Sequence, residues 1–507
     1  MRDSGAGLHV VPAMRASLSG GHHGGMLDAA IATIDAHIAD LRANGSIPGL
    51  VLAVTDRDGL LLDRVYGDAE VVSGRPVRPD TLFEIGSIGK TFAAIVVMQL
   101  VEEGRLSLDD PVVRHLPWFR VPRTGARITI RHLLSHTAGI TAGIEGTPEA
   151  TFQVWRLRDL SPGAEPGRRF HYSNVGYKAL GLIVEAIEGR PYPEVVRRRV
   201  LEPLGMTASE PAITNDIRAR LAVGYEPARD DRAWSEGDPL LPATWLETGT
   251  ADGAIASTAS DMAIFARMLL REGAVPQPRT GRLISAESFG AMTAPVAAMR
   301  SEGYGLGLYS RAFDGRRYIG HTGGMVGYIA GLWCDPTAGL GAVVLQNGPG
   351  HGPNMLSRRI LQVVLAAQEG RDPAAALAAN LAALAAGDAA AATASIEVAP
   401  SDRTTDPATR DGDGDPALQA IAGTYRSHDP WTTNFVIVLR GNVPWLCFHS
   451  TPDGFDDEQP IRPFGRGGFR VGDDPLGPER LRFDTVIDGH ATRAWLSGWD
   501  YYRTGDP

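Results

Sequence analysis

Apolar residues recur every three to four positions over residues 26–44. Leu27, Ile31, Ile34, Ile38 and Leu41 share one helical face, and Gly45 follows as a stop. The period then changes. Residues 50–54 and 60–66 are apolar runs on either side of Asp58-Gly59, a pattern that predicts a β-hairpin. Residues 82–268 read mostly as helices joined by long loops. Within them Phe83-Glu84-Ile85-Gly86 is a short apolar approach to a helix marked by Phe92, Ile95, Val96, Gln99 and Leu100, with Gly104 placed to end it. Four strand-like runs follow at 304–311, 316–320, 325–334 and 340–346, with Asp314-Gly315 as a hairpin turn, and 354–367 reads as a closing helix. A helix and hairpin at one end and a strand meander at the other predict an α+β fold. Its antiparallel sheet would join strands from both ends of this segment, flanked by helices and a helical subdomain.

The pattern shifts after Gly370. Residues 373–394 are Ala-rich and helix-compatible, and 400–416 are rich in Asp, Thr, Pro and Gly, as in a linker. From Leu418 short β-type runs return at 435–439, 445–448 and 480–483, predicting a small antiparallel β domain, a barrel of lipocalin-like type. The expected division is a flexible leader (1–25), a main domain (26–369), an Ala-rich segment and linker (370–416) and the β domain (417–507). Asp411, Asp413 and Asp415 mimic a calcium loop, but Pro416 and Ala422 stand where such a loop needs Gly and Glu.

Composition narrows the function classes. The 507 residues are 43% hydrophobic and carry a net charge of −10 without long runs of one sign, which argues against a nucleic-acid surface. The first 25 residues lack a signal-length apolar run, and no segment approaches ~20 apolar residues, so the expectation is a cytoplasmic protein without membrane contact. Cys334 and Cys447 read as buried thiols. His132 and His136 are four apart, but with Leu133-Leu134 between them and no adjacent Glu they do not make a zinc motif, and no metal or other cofactor is expected.

Only two of the 49 basic residues are lysine, Lys90 and Lys178. Lys178 reads as a helix-surface residue. Lys90 closes Ser87-Ile88-Gly89-Lys90, which places a serine and a lysine on one helical face in the first turn of a largely apolar helix. Arginine stays protonated, whereas a buried lysine can lose its proton and act as a base. Ser87 and Lys90 therefore read as a nucleophile and its partner. No G-x-S-x-G elbow surrounds Ser87, which disfavours an α/β-hydrolase.

Tyr172-Ser173-Asn174 follows a polar loop and opens a helix, and His321-Thr322-Gly323-Gly324 lies between two predicted strands. In this order the three motifs resemble the serine β-lactamase and penicillin-binding protein superfamily, in its class C β-lactamase, DD-peptidase, D-aminopeptidase and esterase group. Residues 128–139 and 257–262 resemble it too, so the likeness covers about 27–367. It implies a β-lactamase/transpeptidase-like fold and acylation of Ser87 followed by hydrolysis. Lys90 and Tyr172 would share the proton work, with the choice of base left open. Asn174, His321, Thr322, Gly323 and Gly324 would bind substrate, and an oxyanion hole would form from the Ser87 amide and that of Gly324 or Met325.

The departure is His321, where β-lactamases carry a lysine for the substrate carboxylate. A histidine is mostly neutral at pH 7; acting as a cation, it would make activity on carboxylate-bearing substrates fall as pH rises through about 6 to 7. The expected enzyme is a serine hydrolase cleaving amide or ester bonds of small molecules or short peptides, first of all D-amino-acid peptides. The alternatives are a carboxylesterase, an acyltransferase, a weak β-lactamase or an inert binding protein on the same fold. The oligomeric state stays open.

Overall fold

The structure, a computed structural model, describes residues 21–43, 47–143, 149–159, 163–229, 237–299, 302–313, 315–349, 353–383, 415–431, 434–451, 454–465 and 468–506. Most of the expected leader, residues 1–20, the C-terminal part of the Ala-rich segment and the calcium-like run of aspartates at 411–413 lie outside them. Among the described residues, no helix is long and apolar enough to cross a membrane.

The chain opens with helix α1 (Gly21–Ala43), then β1 (Gly49–Thr55), β2 (Leu60–Glu70) and β3 (Arg75–Pro76). The sheet is completed by strands from far along the chain: β4 (Ala297–Met299), β5 (Glu302–Tyr304), β6 (Tyr309–Phe313), β7 (Arg316–Met325), β8 (Tyr328–Asp335) and β9 (Leu340–Gln346). Its order is β3-β2-β1-β9-β8-β7-β6-β5-β4, antiparallel throughout. The two ends of the segment meet where β1 pairs with β9, Leu50 opposite Gln346 and Val54 opposite Ala342.

β1 is buried on both faces, and its alternation sorts the core. Leu50, Leu52 and Val54 pack in one cluster with α1 and with helix Pro353–Gln368; Val51 and Ala53 pack in the other with helices α2 (Gly89–Glu102), α3 (Asn174–Glu188) and α4 (Ala259–Leu270). A strand covered on both faces reads as a continuous apolar run, as 50–54 does. Helix α2 is apolar nearly all round because it is buried nearly all round; Phe92 stacks on Phe265 of α4 at 3.9 Å.

Two strand boundaries differ from the sequence reading. The run at 304–311 splits into β5 and β6, because Gly307 turns the chain at φ +85° against Ala94 of α2. β7 runs on through His321-Thr322-Gly323-Gly324 instead of stopping before them. Residues 373–383 are helical. The C-terminal segment is a closed eight-stranded antiparallel barrel, from Gly423–Arg426 round to Trp499–Gly505, filled by Tyr425, Phe435, Ile437, Leu446 and Leu481. Cys334 and Cys447 are free, buried thiols.

Candidate active site

Ser87 sits in a single 3₁₀ turn, Gly86–Ile88, that runs directly into α2. This places the Lys90 side chain beneath it. Lys90 is fully buried, and its Nζ donates to Ser87 Oγ at 2.8 Å and to the Asp252 carbonyl at 2.6 Å. Tyr172 hydrogen-bonds Ser87 from the other side, and the Lys90 ammonium lies 4.9 Å from its ring centroid. Burial, then the neighbouring Tyr309, pushes the Tyr172 phenol well above its ordinary pKa, against the hydrogen bond to Ser87 that lowers it. The phenol is therefore protonated at neutral pH. A hydroxyl held between an amine and a protonated phenol can hand its proton to the amine as it attacks a carbonyl, while the phenol has a proton to give.

Strand β7 packs against the turn that carries Ser87. A Cβ on Gly323 would lie 1.9 Å from the Ile85 carbonyl and 3.1 Å from the Ser87 amide, so only glycine permits this approach. One residue on, Gly324 is exposed, with open space where its Cβ would point.

The Tyr172 segment is held by the 136–142 stretch. His171 and Ser173 donate backbone N–H bonds to the His136 carbonyl at 2.7 Å and to His136 Nδ1 at 3.0 Å. The Asn174 amide donates to the Ala142 carbonyl at 2.6 Å. Ser173 caps α3, its hydroxyl accepting from the Gly176 amide at 3.2 Å. Since His136 Nδ1 accepts, its proton is on Nε2, and burial, then Lys90, hold its pKa well below the usual value. His132 Nδ1 likewise accepts from a backbone amide, that of Thr129.

A cavity of about 400 Å³ opens over Ser87, a size in the range of roughly 300–1,000 Å³ typical of small-molecule sites. Asn174 and Gly324 line it; the Asn174 Oδ1 is buried and has no hydrogen-bond partner among the described residues. Thr322 and Gly323 lie along the same strand but not on the cavity wall. His321 is off the cavity wall but beside Tyr172, ring centroids 6.4 Å apart, and is buried to 1% exposure. Its Nδ1–H donates to the Thr322 carbonyl at 2.5 Å, so Nε2 accepts from the Tyr304 hydroxyl at 3.1 Å. Burial, then the Lys90 charge, lowers its pKa to about 3.

Lys178 is not the surface residue its sequence context suggests. It is buried to 5% exposure one turn after Asn174, lines the cavity, donates to Gln153 Oε1 at 2.6 Å and pairs with Asp252 at 3.5 Å. Both lysines of the chain thus lie at this site. The wall also carries Asp252 and Glu247, together with His428, Asp429, Pro430 and Trp431 from a loop of the barrel. Burial raises the Asp429 pKa while Lys178 pulls it down. The barrel grips the Tyr172 segment directly: Glu479 Oε1 is 2.8 Å from His171 Nε2 and accepts the Ala142 amide at 3.1 Å, and its Oε2 accepts the Thr141 hydroxyl at 3.0 Å. Burial pushes the Glu479 pKa up, but its bonds and attraction to His171, with those from Ser497 and Ala142, hold it below the usual range.

Lys178 was read as a surface residue; its spacing puts it four residues from Asn174 on one helical face, but only Gln153 and Asp252 bury it there. Asp252, Asp429, Trp431 and Glu479 carry no motif and reach the site only through tertiary packing.

Residues 34–368 match the sequence model of the Beta-lactamase family, and the chain belongs to that family, whose members are serine hydrolases. Penicillin-binding protein 4 of Amycolatopsis lactamdurans is 32% identical over 323 residues, 61% of this chain and 83% of that protein. Protein flp of Staphylococcus aureus is 31% identical over 231 residues, and the chain spans only 46% of its length. Among solved structures, the octameric penicillin-binding protein homologue from Pyrococcus abyssi shares the fold over 93% of this chain and all of its own, at a TM-score of 0.60 and 22% identity. A D-stereospecific amidohydrolase from Streptomyces sp. aligns with 66% of this chain and 97% of its own, at a TM-score of 0.54 and 27% identity.

Proposed function

We propose that the protein hydrolyses amides or short peptides of amino acids that carry a free amino group, those of D-amino acids first, through an acyl-enzyme on Ser87. The observation that carries this reading is the charge around the nucleophile. In a chain whose basic residues are almost all arginine, no arginine lines the cavity among the described residues, while Asp252, Glu247 and Asp429 do. A substrate carboxylate would meet only Lys178, already paired with Asp252. A substrate ammonium would meet carboxylates. The buried, neutral His321 supplies no cation either. The likeness to a D-stereospecific amidohydrolase supports the amide and the D configuration.

In this reading Lys90, neutral in the reactive form, takes the Ser87 proton as Oγ attacks the carbonyl; Tyr172 gives its proton to the leaving amine as the C–N bond breaks and regains one from Lys90. The developing oxyanion is held by the Ser87 amide and one from Gly324 or Met325; losing one such donor costs ~3 kcal/mol. Asn174 Oδ1 accepts from the substrate amide. Water then releases the acid. The test is kcat/KM across D- and L-aminoacyl p-nitroanilides, their N-acetylated forms, short-chain p-nitrophenyl esters and nitrocefin. The reading expects the free-amine D-nitroanilides to lead and N-acetylation to cost at least tenfold. Equal rates with and without the acetyl group would overturn it, and ester turnover alone would make the protein a carboxylesterase.

A further inference from the structure

A second cavity of about 100 Å³ lies beside the first and shares Met325 and the barrel's Trp431 with it. Its wall carries Glu84, three residues before Ser87. Glu84 is 7% exposed, and its carboxyl makes no hydrogen bond or ion pair among the described residues. It sits in a short strand, Phe83–Glu84, that pairs with Ala256–Ser257. A buried carboxyl without a partner costs stability and is retained where something meets it. Burial pushes its pKa up to about 8.

The rest of the wall suits a cation. Trp245, Trp431 and Tyr328 line the cavity together with the carboxyl. The Tyr328 hydroxyl is committed to the Ala222 carbonyl at 2.5 Å, which leaves its ring as the available surface. The exposed Arg218 already stacks on Trp245, 4.9 Å from the ring centroid, so that ring does take positive charge. At ~30 Å³ per water-sized group, the cavity has room for three or four non-hydrogen atoms, the ammonium and the last two or three methylenes of a butylammonium chain.

We propose that this cavity is a subsite for a short alkylammonium group, the basic side chain of the substrate acylating Ser87. An ammonium entering it sends the Glu84 proton to solvent and pairs with a carboxylate that has no other ion partner among the described residues, in a cavity also lined by aromatic residues. A neutral side chain would leave that carboxyl unanswered. The proposal rests on the hydrolase reading above for its substrate but not for its ligand chemistry, and the test separates the two.

Two measurements decide it. In the intact wild-type chain, kcat/KM is compared for lysyl, ornithyl and norleucyl p-nitroanilides in both configurations; in the Ser87→Ala protein, binding of n-butylammonium and n-butanol is followed by calorimetry. We expect a basic-over-norleucyl ratio above ten that falls about tenfold in Glu84→Gln, and saturable binding of butylammonium but not butanol. The Trp431→Ala variant, on an exposed loop, should lower the same ratio and serves if Glu84→Gln does not fold. Butylammonium binding without turnover of any substrate supports the subsite and overturns the hydrolase reading. Turnover without preference for basic side chains, together with no butylammonium binding, overturns the subsite alone.

Discussion

The Glu479 carboxylate of the barrel lies 2.8 Å from the imidazole of His171, the residue immediately before Tyr172. The same carboxylate holds Thr141 and Ala142, and the Ala142 carbonyl holds the Asn174 amide. The C-terminal domain therefore braces both ends of the Tyr172-Ser173-Asn174 segment. Glu479→Ala should lower kcat about tenfold, ~1.4 kcal/mol, with a smaller change in KM, and Glu479→Gln should restore part of it by keeping the acceptor. Truncation after residue 383 should leave the sheet and helices folded by circular dichroism but lose most activity. Full kcat in Glu479→Ala would make the contact ornamental.

The histidine of the third motif gives a prediction opposite to the one its type suggests. Its pKa of about 3 keeps His321 neutral from pH 5 to 8, so it cannot impose a fall in kcat/KM between 6 and 7. Carboxylate-bearing and neutral substrates should show parallel pH profiles there. Because the folded pKa lies below the unfolded one near 6.5, the stability linked to a neutral His321 is complete above pH 6.5 and drains away as pH falls toward 3. His321→Lys would bury an ammonium beside Tyr172 and Tyr304 and should lower Tm sharply rather than improve β-lactam turnover. A gain in β-lactam hydrolysis would contradict this.

Glu84 titrates the other way. Its folded pKa of about 8 exceeds the ordinary 4.5, so the folded protein keeps a proton that the unfolded chain gives up. Stability falls as pH rises between those values, by up to ~1.4 kcal/mol per pH unit, and levels off above 8. Glu84→Gln should therefore raise Tm relative to wild type more at pH 8 than at pH 5. A shift equal at both pH values, read by thermal melts, would mean that Glu84 is not buried as a neutral acid.

Much of this was readable in the residues. The pairing of β1 with β9 follows from apolar runs at both ends of the segment, and the closed barrel from the short strands after Leu418. The Ser87–Lys90 contact follows from helical spacing. What escaped reading is tertiary. Glycines are poor strand residues, so His321-Thr322-Gly323-Gly324 read as lying between two strands, yet β7 continues through them, packed against the Ser87 turn. Glu84 passed as part of an apolar approach because its cavity is built by residues more than a hundred positions away. Lys178 looked solvated because burial of a lysine depends on Gln153 and Asp252, which no local pattern brings to it.

Lys90 offers a chemical test of the proton transfer. Lys90→Arg keeps the positive charge but removes a group able to give up its proton, and should cost kcat/KM ~10²–10⁴-fold, nearly as much as Lys90→Ala. Near-normal rates in Lys90→Arg, measured on the best nitroanilide, would reduce Lys90 to electrostatic support.

The most direct measurement is covalent labelling of the nucleophile. Intact protein is treated with a fluorophosphonate or a slowly hydrolysed β-lactam, digested, and the adduct located by mass spectrometry. The account predicts one adduct per chain, on Ser87, absent from Ser87→Ala and slowed in Lys90→Arg. An adduct on another residue, or turnover that survives in Ser87→Ala, would contradict it.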